Sequence, residues 1–258
     1  MPDLYRDRHV LLTGASAGIG AAMARELGRR GAHVTLVARR ADALDAVASE
    51  VRARGGRATV LAADLAGASG ARALLGRLDA PVDVLVNNAG YGIQGPFLQT
   101  DPGDAVGQVE LNVTALTALT RALLPGMAAR RRGGVLHVAS IAAFVPAPRF
   151  AVYAATKAYV LSLSEALHHE MRGTGVAVTC LCPGPVRTEF AGRAGMNDAF
   201  FEGALSAEAV ARAGLDGLAR NRRTVVPGAR NAAQTAATRV LPRGLVLRAT
   251  EAILRRAG

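Results

Sequence analysis

A tyrosine and a lysine four positions apart, Tyr153 and Lys157, are the pair in this sequence best suited to acid and base chemistry. In a helix this spacing places both side chains on one face. A phenol is almost fully protonated at neutral pH, and a nearby ammonium group favours the phenolate. Lys157 is therefore expected to lower the pKa of Tyr153, which could then act as a general acid or base.

Lysine is otherwise missing from this chain, since Lys157 is the only lysine among 31 basic residues. Arginine is always charged and carries a broad planar group, whereas lysine is a slim point charge whose pKa can be tuned. Keeping a lysine at this one position indicates a specific role. An ordinary solvated helix lysine is the alternative.

Two polar residues stand out in apolar surroundings. Ser140 directly follows a predicted apolar strand at 134–139, thirteen residues before Tyr153. Asn112 interrupts an apolar helical stretch, and a buried asparagine must find hydrogen-bond partners. It could satisfy backbone groups, or it could hold a water molecule that links Lys157 to solvent.

The N-terminal region reads as a strand, a glycine-rich loop, a helix to about residue 30 and a second strand at 33–38. Glycines allow the loop backbone to approach a pyrophosphate, which then rests on the helix N-terminus. The loop residues expected to contact a dinucleotide are Gly14, Ser16, Gly18, Ile19 and Gly20. Their spacing, GxxxGxG, differs from the commoner GxGxxG, but the flanking strand and helix supply the required context.

The end of the second strand discriminates between the two nicotinamide cofactors. An acidic residue there would bind a free ribose 2′-hydroxyl, whereas an arginine would accommodate a 2′-phosphate. This chain has Arg39 and Arg40, and Asp42 comes too late. We therefore expect NADP(H), bound by Arg39 with Ser16 or Arg40 as helpers. NAD(H) remains the alternative, because the two arginines could be ordinary surface residues.

Three further turns each follow a predicted strand and so reach the same sheet edge. They are Asp64-Leu65 after the strand at 58–62, Asn88-Ala89-Gly90 after 82–86, and Pro183-Gly184-Pro185-Val186-Arg187-Thr188 after 176–182. Asp64 could reach an adenine amino group, and the Thr188 hydroxyl could bind a carboxamide. The asparagines would also suit an ordinary turn.

The alternation of strands and helices predicts an α/β fold with a parallel sheet. Further helices are predicted at 42–54, at about 104–130, from before Tyr153 to about 172, and at 207–220, with a last strand at 224–226. The length of 258 residues fits one large domain, here residues 1–228.

Charge and composition narrow the function classes. The net charge is +11, and between Arg220 and Gly258 nine arginines accompany one acidic residue. The rest of the chain is nearly balanced in charge, which argues against a nucleic-acid-binding face on the main body. No 18-residue apolar run or signal-like N-terminus occurs, so a cytoplasmic protein is expected. Cys180 and Cys182 are expected to be reduced core residues, and a metal site would need further ligands.

Taken together, these motifs resemble the short-chain dehydrogenase/reductase family over about residues 8–228. TGASAGIG, Asp64, NNAG, Asn112, Ser140, YAATK and PGPVRT occur in the order and at the spacing of that family. The resemblance implies a Rossmann-like, doubly wound sheet of about seven parallel strands with helices on both faces. It also implies a nicotinamide cofactor, a small-molecule substrate and usually a homodimer or homotetramer.

The resemblance also implies a role for each residue of a catalytic tetrad. Tyr153 would protonate a carbonyl oxygen or remove an alcohol proton, and Ser140 would hydrogen-bond the same oxygen. Lys157 would hold the nicotinamide ribose and lower the pKa of Tyr153, and Asn112 would secure a proton-relay water. NADP-binding relatives often carry a basic residue where this chain has Ala17, so the preference for NADP rests on Arg39.

The expected activity is hydride transfer between the nicotinamide and an apolar ketone or secondary alcohol. Apolar surface for such a substrate would come from Tyr91, Ile93, Phe97, Phe144, Val145 and a mobile lid at about 189–203. A cofactor-binding regulatory or scaffold protein without catalysis is the alternative, which the intact tetrad disfavours.

Residues 229–258 form a basic extension beyond the family pattern. Pro242 would start a last helix with Val246, Ala249 and Ile253 on one face and Arg248, Glu251 and Arg255 on another. Such a helix could lie on an anionic lipid surface and make a weak membrane contact. Alternatively, it packs on its own domain or on a partner subunit.

Overall fold

The structure is a computed structural model that describes residues 4–189, 194–197, 201 and 203–257. Within these residues, seven strands form one parallel sheet. The strands are β1 (His9–Thr13), β2 (His33–Ala38), β3 (Arg57–Ala62), β4 (Val84–Asn87), β5 (Gly133–Val138), β6 (Val176–Leu181) and β7 (Thr224–Val225).

The strand order is β3-β2-β1-β4-β5-β6-β7. The order reverses between β1 and β4, and in such sheets a crevice opens at this point beyond the carboxyl ends of the strands. This is the predicted doubly wound, Rossmann-like fold. The predicted functional turns after β1 and β4 therefore lie side by side.

Helices cover both faces of the sheet. They are α1 (Gly18–Arg29), α2 (Ala41–Ala53), α3 (Gly67–Leu75), α4 (Pro102–Val109), α5 (Leu116–Ala129), α6 (Ala151–Glu170), α7 (Ala207–Ala219), α8 (Ala229–Ala237) and α9 (Arg243–Ala257). Successive strand residues point to opposite faces, and Val10 and Leu12 pack in one core while Leu11 packs in the other. Burial on both faces explains why the strands inside the sheet, such as β1, β4 and β5, are apolar runs, whereas the edge strand β3 is partly exposed.

The single long helix expected at 104–130 is interrupted. Between α4 and α5 the chain forms a π-helical segment, Glu110–Ala115, which contains Asn112. The interruption is local, because the backbone enters and leaves the segment with helical dihedral angles. A π-helical turn contains more residues than an α-helical turn. The apolar pattern of the sequence does not reveal this wider turn, so the sequence predicted an uninterrupted helix.

The last two helices pack on the domain. In α9, Val246 and Leu254 are buried, whereas Leu245 and Ile253 are each about half exposed. The face predicted from Val246, Ala249 and Ile253 is thus only partly correct, because Ile253 is half exposed and the prediction did not include the buried Leu254. Membrane contact by this segment stays a prediction. Among the described residues, every helix is too short or too polar to span a bilayer.

Candidate active site

The strand β5 and the helix α6 bring Ser140, Tyr153 and Lys157 together. Ser140 lies just beyond the carboxyl end of β5, and both other residues lie on the buried side of α6. The Nζ atom of Lys157 donates to the carbonyl oxygen of Val138 at 2.8 Å. It lies 5.7 Å from the centre of the Tyr153 ring. The predicted i, i+4 pair is therefore formed.

The hydroxyl of Ser140 is held in place by the backbone. Ser140 caps the short 3-10 helix Ile141–Phe144, where its Oγ accepts a hydrogen bond from the backbone N–H of Ala142 at 3.1 Å. Its own proton is then available to the hydroxyl of Tyr153, with which Ser140 is hydrogen-bonded. The hydroxyl groups of Ser140 and Tyr153 therefore lie next to each other, so that both could bind one carbonyl oxygen.

The expected lowering of the Tyr153 pKa by Lys157 is wrong. Burial of the phenol raises the pKa of Tyr153 to about 12, and this effect exceeds the lowering by the Ser140 hydrogen bond. Burial also lowers the pKa of Lys157 to about 8. Both groups are removed from water, which disfavours the charged form of each. Tyr153 is therefore a phenol at neutral pH.

Asn112 is fully enclosed and satisfies backbone groups. Its Oδ1 accepts from the backbone N–H of Tyr91 at 3.1 Å, and its Nδ2 donates to the carbonyl oxygen of Tyr91 at 2.9 Å and to Thr156 at 3.0 Å. Gly90 separates it from Lys157, because a Cβ atom there would lie 2.9 Å from Asn112 Oδ1 and 3.3 Å from Lys157 Nζ. Asn112 thus fixes the turn beside the lysine.

The glycine loop is pressed against the turn after β4. A Cβ atom on Gly20 would lie 2.0 Å from the carbonyl oxygen of Gly14, so no other residue fits there. Asn88 donates through Nδ2 to the carbonyl oxygens of Thr13 and Gly14, both at 3.0 Å. The Thr13 hydroxyl accepts from the backbone N–H groups of Asn88 and Ala89. Asn88 therefore holds the loop, which an ordinary turn asparagine would not do.

The N-terminus of α1 suits an anionic group. Its first residue follows Ala17, which has no side-chain oxygen to cap the backbone N–H groups, and its first turn contains no acidic residue. Backbone N–H groups at a helix N-terminus bind phosphate groups well. The space left by Gly14 and Gly20 allows a ligand to approach the backbone. The residues present thus fit the pyrophosphate of a dinucleotide.

Arg39 and Arg40 follow β2 and lie at one end of the same cavity. The Nη2 atom of Arg40 forms an ion pair with Glu189 at 2.7 Å and lies 3.5 Å from Ser16 Oγ. Among the described residues, Arg39 has no carboxylate partner. Arg39 therefore keeps its full charge at this end of the cavity, whereas Arg40 is partly neutralised by Glu189.

The remaining predicted turns also reach the cavity. Asp64 is exposed and caps its own turn by accepting from the backbone N–H of Ala66. Thr188 lies against the glycine loop, since a Cβ atom on Gly18 would come within 3.0 Å of its side chain. Gly184 lies against the C-terminal extension, because the side chain of Asn231 occupies the space beside it.

One cavity of about 1730 Å³ joins these groups. All residues predicted to contact the cofactor line it: Gly14, Ser16, Gly18, Ile19, Gly20, Arg39, Asp64, Leu65, Asn88, Ala89, Gly90, Tyr153, Lys157, Pro183, Gly184, Val186 and Thr188. Ser140 lines it as well, and Asn112 lies behind Gly90. Its size leaves room for a substrate beside a dinucleotide.

The apolar part of the cavity differs from the expected set. Tyr91, Ile93 and Val145 line it as predicted. Phe97 instead lines a separate small pocket, and Phe144 lies beneath the guanidinium of Arg239, 5.9 Å from it. Most of the predicted lid at 189–203 falls outside the described residues. Of its described part, Met196, Phe201 and Gly203 line the cavity.

Sequence reasoning missed a buried polar network beneath the site. His137 on β5 contacts Thr120 at 2.9 Å through Nε2 and Ser164 at 2.8 Å through Nδ1, and Thr120 accepts from Asn87 at 3.0 Å. Burial, and secondarily the charge of Lys157, lower the pKa of His137 to about 3. A lone histidine in the apolar strand GGVLHV was the available signal.

Comparisons with known proteins agree with this geometry. The short chain dehydrogenase family model matches residues 8–198. The chain is 39% identical over 184 residues to a short chain dehydrogenase of Pseudocercospora fijiensis (strain CIRAD86), which covers 69% of this chain and 60% of that protein. The chain thus spans less than two thirds of that relative's length.

Two solved structures are similar over almost the whole chain. A short-chain dehydrogenase from Sphingobium yanoikuyae, in complex with NADPH, is 35% identical with a TM-score of 0.82, covering 92% of this chain and 94% of that chain. A bulky-bulky ketone specific alcohol dehydrogenase from Comamonas testosteroni is 30% identical with a TM-score of 0.77, covering 92% and 93%. The chain therefore belongs to the short-chain dehydrogenase/reductase family of oxidoreductases, which use nicotinamide cofactors.

Proposed function

We propose that this protein is an NADPH-dependent carbonyl reductase that acts on a bulky apolar ketone, or the reverse alcohol dehydrogenase. One observation carries the proposal: the hydrogen-bonded hydroxyls of Ser140 and Tyr153 lie in the same cavity as the glycine loop. The cavity thus holds a site for a dinucleotide and, beside it, a proton donor.

Tyr153 is the proton donor in the reduction. When bound, the reduced nicotinamide would supply a hydrogen and its electron pair to the carbonyl carbon. The phenol of Tyr153 transfers its proton to the carbonyl oxygen, which accepts it readily because an alkoxide is more basic than a phenolate. With a pKa of about 12, Tyr153 is fully protonated at neutral pH, and this favours the reductive direction.

Ser140 and Lys157 assist this proton transfer. When a ketone binds, the Ser140 hydroxyl, whose Oγ is held by the backbone N–H of Ala142, turns its one proton from Tyr153 to the carbonyl oxygen and donates a hydrogen bond to it. The ammonium of Lys157 stabilises the phenolate that Tyr153 becomes, since it lies 5.7 Å from the ring centre. Asn112 keeps the adjacent turn in place.

The preference for NADPH rests on Arg39. A guanidinium group recognises a phosphate through charge-assisted hydrogen bonds. At the end of β2 the chain offers arginines and no acidic residue, and Arg40 is paired with Glu189. The relative from Sphingobium yanoikuyae was solved with NADPH. NAD(H) is expected to bind more weakly.

The substrate class rests on the lining of the cavity. Apolar side chains surround the space near Tyr153, among them Ile93, Val145 and Phe150. The relative from Comamonas testosteroni is named a bulky-bulky ketone specific alcohol dehydrogenase. A non-catalytic scaffold would not need a serine proton aimed at Tyr153, and we therefore place it second.

A spectrophotometric screen tests the proposal. The protein is incubated with NADPH and a panel of ketones that runs from cyclohexanone to aryl-alkyl, long-chain and fused-ring ketones, and the loss of absorbance of the reduced nicotinamide is followed. We expect turnover that is fastest with the bulky members. NADPH binding without oxidation across the whole panel would favour the scaffold alternative.

A further inference from the structure

The C-terminal helix α9 packs into the hydrophobic cluster that contains Tyr153. Leu254 is 5% exposed and packs in one cluster with Phe150 and Tyr153. The carbonyl oxygen of Leu254 accepts a hydrogen bond from Gln94 Nε2, and that of Arg256 accepts one from Asn197 Nδ2 at 2.7 Å. These contacts hold the end of the helix at the mouth of the active site.

A neighbouring stripe of the same helix faces the cavity. Its residues are Val246, Ala249, Thr250 and Ile253, at positions i, i+3, i+4 and i+7, and all four line the cavity. Ile253 is 51% exposed and is one of the residues that line this cavity. An isoleucine side chain left open to such a cavity is available for contact with an apolar ligand.

This part of the cavity is built outside the region shared with the family model. The family model matches residues 8–198, which include Ser140, Tyr153 and Lys157. The helix α9, at Arg243–Ala257, lies beyond it. Ser140, Tyr153 and Lys157 thus lie inside the matched region, whereas the cavity wall formed by α9 is contributed by a segment outside it.

We infer that α9 determines which ketones this protein accepts, with Ile253 as the specificity-determining residue that contacts the apolar group of the substrate farthest from the carbonyl. The inference rests on the proposed function, because it names the substrate-selecting side of the same site. Leu254 fixes the position of the helix in the cluster around Tyr153. The side chain of Ile253 then limits the volume of the cavity that is available to the substrate.

The physical effect of Ile253 is a difference between substrates. One methylene group more or less in an apolar pocket changes the discrimination between two substrates by about 10- to 200-fold. An indole at this position would fill the space that a bulky ketone needs and leave a small ketone unaffected. Cofactor binding should stay the same, because Arg39 and the glycine loop lie on other elements.

The experiment compares Ile253→Trp with Leu245→Trp. Leu245 is 55% exposed on the same helix and lies outside the cavity lining, so it is a matched control for adding an indole to α9. The ratio of kcat/KM for a fused-ring ketone to that for cyclohexanone is measured with NADPH. Binding of the fused-ring ketone to the protein and NADP+ is measured by calorimetry, which does not require turnover.

We expect Ile253→Trp to lower the kcat/KM ratio at least tenfold and to weaken binding of the fused-ring ketone by a similar factor. Leu245→Trp should change both by less than about twofold, and the NADPH affinity of both variants should match that of the unmodified protein. If the two variants behave alike, or if the unmodified protein does not bind the fused-ring ketone, the inference is wrong. Failure of the proposed function is distinguishable, because it would appear as ketone binding without NADPH oxidation.

Discussion

The ammonium of Lys157 donates a hydrogen bond to the carbonyl oxygen of Val138 at 2.8 Å, and this contact joins α6 to the end of β5. Val138 lies two residues before Ser140, so the same bond couples the positions of the lysine, Tyr153 and the serine hydroxyl. An arginine could not occupy this enclosed position in the same way. The enclosed position beside Val138 thus explains why this site holds a lysine in a chain that otherwise uses arginine.

The pH profile should report Lys157. Burial lowers the pKa of this ammonium to about 8, so its charge is lost as the pH rises through that value. Because the charge stabilises the phenolate that forms from Tyr153, we expect kcat/KM for ketone reduction to fall above pH 8. The decrease should approach about tenfold per pH unit. Initial rates between pH 6 and 10 check this.

Lys157→Arg provides the control for that profile. Arginine stays charged throughout this pH range, so the variant should be less active because of its poor fit but should lose the decrease near pH 8. A profile of the unmodified protein that is flat to pH 10 would show that Lys157 does not titrate in the catalytic step.

Replacing Arg39 by alanine should change the cofactor preference. The variant loses charge-assisted hydrogen bonds to the 2′-phosphate, each worth about 1.5–3 kcal/mol. We expect the Kd for NADPH to rise about 10- to 100-fold and the Kd for NADH to change less than threefold. Fluorescence titration of the reduced cofactors measures both.

The adjacent arginine is the matched control. Arg40 is paired with Glu189 at 2.7 Å, so Arg40→Ala should weaken NADPH binding less than Arg39→Ala does. Equal losses of NADPH and NADH affinity in Arg39→Ala would remove the assignment of Arg39 to the 2′-phosphate.

His137 should make the fold sensitive to acid. Its pKa falls from an ordinary 6.5 to about 3 in the folded state because of burial. Between these values the unfolded chain binds a proton that the folded chain does not, so stability is fully present above pH 6.5 and decreases as the pH falls. From pH 6.5 to 5.0 the expected loss in the free energy of unfolding is about 1.5 kcal/mol.

Urea unfolding at the two pH values tests this, with two variants for comparison. His137→Asn cannot titrate and should lose about 1.5 kcal/mol less than the unmodified protein over the same interval. His169→Asn, which alters an exposed histidine of α6, should not differ from the unmodified protein. An unchanged pH dependence in His137→Asn would show that His137 is not the responsible group.

Much of the fold followed from local patterns in the chain. Apolar runs such as the strand at 33–38 were visible because both faces of a parallel sheet are buried. The glycine loop was visible because Gly14 and Gly20 leave no room for side chains. The i, i+4 spacing of Tyr153 and Lys157 placed them on one helix face. These are short-range constraints, which the sequence expresses directly.

The features that were missed depend on contacts distant in sequence. Leu254 meets Tyr153 only when the C-terminal helix folds back over the domain, and no local pattern encodes that. The π-helical segment around Asn112 retains an apolar pattern that a regular helix would share. The pKa of Tyr153 depends on how completely the fold buries it, and spacing from Lys157 alone predicted the wrong direction.

The most direct measurement is the single-turnover rate of ketone reduction by Tyr153→Phe, with Tyr159→Phe as its control. Tyr159 lies on the same helix, where its hydroxyl contacts Thr117 at 2.9 Å, so its loss tests the general effect of removing a phenol from α6. We expect Tyr153→Phe to bind NADPH normally and to lose about 10²- to 10⁴-fold in rate, while Tyr159→Phe stays within about threefold. A Tyr153→Phe variant that keeps its cofactor and reduces the ketone within tenfold of the original rate would contradict the assignment of Tyr153 as the proton donor.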